Sequence, residues 1–474
     1  MADESQTIRG INWRETFPFT NIFKAFRVAV HPSKLVLALA ALLLIWLGGL
    51  LLDAVWADKH LVQEDERPFY QPDPTEPDFY DAEGNPKPRG IFTSFFKYEV
   101  RQVNATVAGV AGLEPLVILE GVSNFLFTGP SWLVHEHPLF FTLFGIWFLL
   151  IWSIFGGAIS RIAAVHVARD EKISVRQAVR FSGNKLLSFA FAPLIPILIL
   201  LVIGGIVALG GLLLYIPYIG PIVLSLLFFL ALIAGLVMAL VLLGLIGGFN
   251  LMYPTIAVEG SDSFDAISRS FSYVFARPWR MVFYTLVAIV YGALTFLFVR
   301  FFIYLMLALT HYFVSWWLRG QPQTYWPVIW PPPRMESLPY HADYDHLKWS
   351  EKFAGGMISF WVHIVIGLLG AYAISFYFSV NTIIYYLMRR EVDAAELEDV
   401  YVEETEDEFG DAAGGASSVA VVTPTAVTEV PAPASSSTSA PGGGVSGTAG
   451  SADPGGGGGS SQPYTPPPTD APPT

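Results

Sequence analysis

The stretch LVLALAALLLIWLGGLLLDAV, residues 35–55, decides the fold. It holds a single charge, Asp53, near its far end. A helix needs about 20 apolar residues to cross a hydrocarbon layer roughly 30 Å thick. Apolar and polar residues do not alternate, so the run does not read as a barrel strand. It is too long for the apolar part of a signal peptide, and Asp53 and Trp56 stand where a cleavage site needs small residues. The segment reads as a retained anchor. Working outward, five more runs meet the same criterion: residues 139–159, 195–215 and 222–246, one opening at Met281, and one from Met357 to Met388. The chain is expected to be all-α: a polytopic transmembrane helix bundle of six spans within residues 35–390, after an N-terminal segment of residues 1–34.

Composition agrees. Hydrophobic residues make up 53% and charged residues 14%, where a soluble domain carries roughly 25% charged residues. This excludes an ordinary soluble enzyme and a nucleic-acid binder, which needs a basic surface. The absence of cysteine excludes disulfides, thiolate catalysis and zinc sites built on Cys. The net charge of −13 is unevenly placed. Residues 391–474 hold 14 acids and no base, whereas residues 1–390 hold 27 bases and 26 acids. From Ala412 the chain is Ser, Thr, Pro, Ala and Gly, with GGGGG at 455–459. Such a segment buries too little apolar area to offset its ordering entropy. It reads as a disordered tail, with a short helix conceivable over 391–402, presented to a protein partner.

Lys and Arg near span ends set orientation, because they accumulate on the cytoplasmic side. Sixteen lie in the N-terminal segment, in the inner loops at 160–190 and 249–280, and just after the sixth span. Ten lie elsewhere, six in the first outer loop at 57–138 and four in the second at 313–352, apart from Arg300. Both termini are therefore expected in the cytoplasm, with the protein in a bacterial cytoplasmic (inner) membrane. The first outer loop begins acidic and Pro-rich. From Phe92 to Phe127 it suggests one or two amphipathic helices on the outer surface or against the bundle.

The inner loops resemble each other. One reads SVRQAVRFSGNKLLSFAFAPL from Ser174, the other SFDAISRSFSYVFARPWRMVF from Ser263. Ser174 and Ser263 are expected N-caps, with Asp265 favourable in a first turn. Both loops read as amphipathic interfacial helices, turning Arg180 and Arg269 toward lipid phosphates. A duplication relating spans two and three to spans four and five would be parallel, because both loops face one side.

Polar residues at membrane depth are the candidates for function. Arg300 stands in ALTFLFVRFFIYLML, 20 residues after Arg280. That separation is roughly 30 Å of helix, so Arg300 is expected to snorkel at the outer boundary, with Asp53 a candidate partner. Asn250, Tyr253 and Pro254 are expected to end the fourth span, with Glu259 beyond; the sharper alternative is an ion or headgroup site. His363 and Asn381 in the sixth span are expected to bond across helices. His341, Asp343, Asp345 and His346 are the metal candidates, but their Pro- and Trp-rich loop lacks an HExxH frame, so no metal is expected. No catalytic residue and no cofactor is expected.

The segment YPTIAVEGSDSFDAISRSFSYVFARPWRMV, residues 253–282, resembles bacterial multi-span proteins of the YciC-like and glycerophosphodiester-phosphodiesterase membrane-domain type. Pro254, Glu259, Arg269 and Ser270 carry the likeness, while the first inner loop has Arg180-Phe181 in place of Arg-Ser. The resemblance implies architecture and no activity, since no phosphodiesterase catalytic domain is present. The expected role is a non-enzymatic structural or organising component in contact with the lipid bilayer, with an interaction tail. A transporter or channel subunit is the alternative, and a membrane-embedded enzyme acting on lipid is a second.

Overall fold

The computed structural model describes residues 17–56, 90–318, 325–335, 337–340, 347–395 and 400–401. All belong to the first of two compact units, Met1–Glu403; the second, Glu404–Thr474, lies outside the described residues.

A 3-10 segment, Pro18–Lys24, leads into α1 (Ala25–Ala29) and α2 (Pro32–Val55). Next comes a hairpin, with α3 (Ile91–Gly112) as one arm. Its other arm joins α4 (Pro115–Ser123), a π-helical turn at Asn124–Thr128, and α5 (Gly129–Glu136). Then follow α6 (Pro138–Arg169), α7 (Val175–Asn184), α8 (Leu186–Gly211) and α9 (Ile219–Glu259). The chain continues through α10 (Ser263–Ala276), α11 (Pro278–Val314), the single turn α12 (Trp326–Ile329) and α13 (Trp349–Asp393). The described fold is all-helical, and six helices, α2, α6, α8, α9, α11 and α13, are long and apolar enough to cross a membrane. Pro opens α2, α6 and α11, where its missing N–H has no helical acceptor in any case.

The densest packing lies at the end expected to face the cytoplasm, named the inner end below, with the opposite end, which carries the α3–α5 hairpin, named the outer. Leu251 to Val258 of α9, most of α6 from Gly156 to Val165, and α13 from Phe378 to Arg389 are buried together. Ile22 and Ala25 from the N-terminal segment and Tyr273 from α10 complete one apolar cluster. Phe181, Phe189 and the first turns of α2 complete a second. Residues of the N-terminal segment from 17 to 29 thus pack into the bundle.

The hairpin α8–α9 differs. Leu201, Ile206, Leu226, Ile233 and Ile246 are all exposed, a continuous apolar surface suited to hydrocarbon and not to water. At about 1.5 Å per residue, the 41 residues of α9 extend roughly 60 Å, twice a hydrocarbon layer. Its first thirty or so residues present the exposed surface, and its last turns enter the core.

Several expectations need correction. Asn250, Tyr253 and Pro254 do not end the fourth span: α9 runs through Pro254 to Glu259. Proline in a helix removes one hydrogen bond and crowds the preceding turn, but here Leu251 to Val258 are enclosed on all sides by packed helices, which hold the turn in place. The second inner helix is capped by Asp262, whose carboxylate accepts from the Asp265 N–H at 2.9 Å, so Ser263 is its first residue and not its cap. Ser174 does cap α7, in a reciprocal box with Gln177. Of the helix expected over 391–402, the first residues belong to α13, which continues to Asp393 and stops at Ala394 in left-handed geometry; residues 396–399 and 402 lie outside the described residues.

Candidate functional site at the inner end of the bundle

An α-helix leaves its last four carbonyls without helical donors. At the end of α9 these carbonyls organise a site. Gly260, at φ +64°, supplies the left-handed residue that stops the helix, and its N–H returns to the Ile256 carbonyl at 2.9 Å. The Ala257 carbonyl accepts from Arg161 Nη1 at 2.8 Å. The Val258 carbonyl accepts from the Tyr401 N–H at 2.8 Å. Arg161 Nη2 then donates to the Tyr401 carbonyl at 2.6 Å, and its guanidinium lies 4.5 Å above the Phe181 ring. A cation at a helix C-terminus also complements the helix dipole. Val400 beside this bridge is buried.

Glu259, the last residue of α9, gathers the charges. Its Oε1 accepts from Tyr385 at 2.9 Å and Arg389 Nε at 2.9 Å, and lies 3.8 Å from Arg269 Nη1. Arg269 Nε also donates to both oxygens of Asp265 at 3.1 Å. Nearby, Tyr273 donates to Asp393, and Glu391 pairs with Arg280 and accepts from Tyr284. Burial and the Asp393 carboxylate push the Tyr273 phenol well above its usual range, so it stays protonated and donates. The arrangement is an interlocked set of ion pairs and phenol donors from α6, α9, α10, α11 and α13. It can hold these helices together and anchor the segment leading to residue 401; each acid in it already has donors.

The sequence candidates fall into place differently. Glu259 and Arg269 meet, with the Arg269 side chain half-buried between Glu259 and Asp265. Arg180 is exposed. Asn250 accepts from Tyr377 at 2.6 Å. Asn381 is buried in α13, and His363 bonds Ser359 and lies beside Tyr340. Asp53 and Arg300 do not pair. Asp53 accepts from the N–H groups of Phe92 and Thr93 at 2.8 and 2.9 Å, so it caps α3. Arg300 is 3% exposed and donates to the Met335 carbonyl and to Asn104, each at 3.1 Å. It is enclosed by the outer hairpin and loop and does not snorkel, because these segments pack inward where the sequence suggested a boundary. His341, Asp343, Asp345 and His346 lie outside the described residues.

Arg161, Tyr273, Tyr385, Arg389 and Tyr401 carry the inner site, and sequence reasoning counted the two arginines only as boundary charges. Nothing local distinguishes a base that binds a helix end from one that binds lipid. Pairing across more than 200 residues, as for Arg161 and Tyr401, leaves no short-range signal.

Six apolar spans and a lipid-suited surface on α8–α9 decide the class. The chain is a multi-span integral membrane protein. Comparison with family models, curated proteins and solved structures finds no match.

Proposed function

We propose that this membrane protein is a structural or organising component of the bacterial cytoplasmic membrane, with both termini inside and an acidic tail presented to cytoplasmic protein partners. The observation that carries the reading is the Arg161–Tyr401–Val258 bridge. It fixes the chain to the bundle immediately before the acidic run that opens at Glu403. A bundle locked in this way is a firm base for a tether.

Transport draws on polar groups lining a path. The cavity of about 370 Å³ between the outer hairpin and helices α11 and α13 has walls such as Val103, Val110, Phe296 and Phe376. Thr106 and Tyr372 are the hydroxyl-bearing residues in an otherwise apolar lining, and Asn250, Asn381 and His363 do not reach it. This supports the structural role over the transporter alternative.

Affinity capture in mild detergent, comparing the full chain with one ending at Glu403, tests the proposal. Partners retained only by the full chain are expected; identical partner sets would overturn the tether. Reporter fusions after Gly90 and after Gly410 test orientation, and an outward signal from the second would overturn the proposed topology.

A further inference from the structure

Glu99 lies on α3 where the hairpin arms face each other. It is 9% exposed, and neither carboxylate oxygen has a hydrogen-bond partner among the described residues. The opposing arm is fitted to it. A methyl group on Gly129 would lie 1.9 Å from Glu99 Oε1, so only glycine leaves room for the carboxyl. The neighbouring polar groups are occupied with one another. Asn124 Nδ2 donates to Gln102 Oε1 at 3.5 Å, and Thr128 Oγ1 donates to Asn124 Oδ1 at 3.1 Å. These residues sit at the π-helical turn Asn124–Thr128, a kind of helix defect frequent at functional sites.

The charged surroundings offer little compensation. On its own helix Glu99 has Lys97, Tyr98 and Arg101 as neighbours, with Tyr98 hydrogen-bonded to Thr128. The second arm brings Gly129 and Thr128; its titratable groups are Glu120 and Glu136, both exposed, and His135, which is bound to the Ser131 carbonyl. From α2 comes Asp53, already held by the first turn of α3. An ionised carboxylate, buried and without donors, is far costlier than the neutral acid. Burial pushes Glu99 from 4.5 up to about 8.

We propose that Glu99 is a proton-binding site, carried as the neutral carboxylic acid between the hairpin arms, and that ionising it loosens the hairpin from the bundle. The link to the bundle is close at hand: Asn104, five residues on, bonds Arg300 of α11.

Dicyclohexylcarbodiimide tests the site on the full chain in mild detergent. This apolar reagent needs a protonated carboxyl. The acid proton passes to one carbodiimide nitrogen and the carboxyl oxygen bonds the central carbon. An oxygen-to-nitrogen acyl shift then leaves an N-acylurea containing every atom of both reactants. Peptide mapping is expected to find the adduct on Glu99 below pH 8, with labelling several-fold slower above it. Glu99→Gln is expected to lose that adduct. Labelling of Glu99 that does not depend on pH, or labelling confined to other acids, would overturn the proposal. Protection by sodium chloride but not potassium chloride would assign the site to sodium and overturn it as well.

Thermal unfolding gives an independent readout. A carboxyl whose folded pKa is raised contributes stability that is complete below its unfolded value and lost as pH rises through the folded one. The melting temperature of the wild-type protein should therefore fall between pH 4.5 and about 8, and Glu99→Gln should flatten that fall. An equal fall in Glu99→Gln would count against the proposal. Should Glu99→Gln not fold, the pH dependence of wild-type labelling decides alone.

Discussion

The N–H of Tyr401 donates to the carbonyl of Val258 across 2.8 Å. One hydrogen bond thus joins the chain that leads to the acidic tail with the last turn of the fourth span. Arg161 makes the junction three-way, since it holds Ala257 and Tyr401 through one guanidinium. The root of the tail is fixed by main-chain groups, so its placement depends little on which side chain stands at 401.

Arg161→Ala removes two hydrogen bonds from a charged donor, each worth about 1.5–3 kcal/mol. A loss of about 3 kcal/mol is expected. Hydrogen exchange should show faster exchange at the Tyr401 amide than in the wild type. An unchanged amide would mean that Arg161 does not hold the segment.

Glu259→Ala strips the acceptor shared by Tyr385, Arg389 and Arg269. Removing one partner of a buried pair costs about 3–5 kcal/mol, because the cations stay behind with less compensation. Glu259→Gln keeps an oxygen acceptor and should cost less. Melting of the two variants in detergent ranks them, and equal losses would show that charge is irrelevant there.

Asp53→Ala uncaps α3 from outside its own helix. Losing a cap of this kind costs about 1 kcal/mol. Asp53→Asn retains an acceptor oxygen and should recover most of the loss. The exchange rates of the Phe92 and Thr93 amides report it directly.

Gly260→Ala places a Cβ in left-handed geometry, at roughly 1–2 kcal/mol, and 2.6 Å from Tyr401 Cδ1. The penalty should fall when Tyr401 is also reduced to alanine. A double-mutant cycle measures that coupling, and strict additivity would remove the contact from the account.

The spans were legible because hydropathy is a local property: residues 35–55 announce a membrane helix whatever surrounds them. The inner caps were partly legible for the same reason, and Ser174 stands where its pattern put it. Pro254 misled because its local preference is to end a helix, and only surrounding packing overrides it. Arg300 and Asp53 were recognised as unusual, yet their partners, Asn104 and the first turn of α3, lie in a loop that carries no hydropathy signal of insertion. Glu99 went unnoticed for a related reason: in a mixed amphipathic stretch, an acid on the buried side looks like an acid on the solvent side.

The long helix α9 is continuous from its exposed apolar turns to Glu259, and the one interior proline, Pro254, is enclosed in the packed core. It is mechanically a cantilever rooted in the ion-paired core. A bilayer of different thickness tilts lipid-exposed helices, and a rigid rod transmits any such tilt to its fixed end. Bending load on the α8–α9 hairpin therefore falls on the Glu259 cluster and on the junction at Tyr401, both braced by charged side chains.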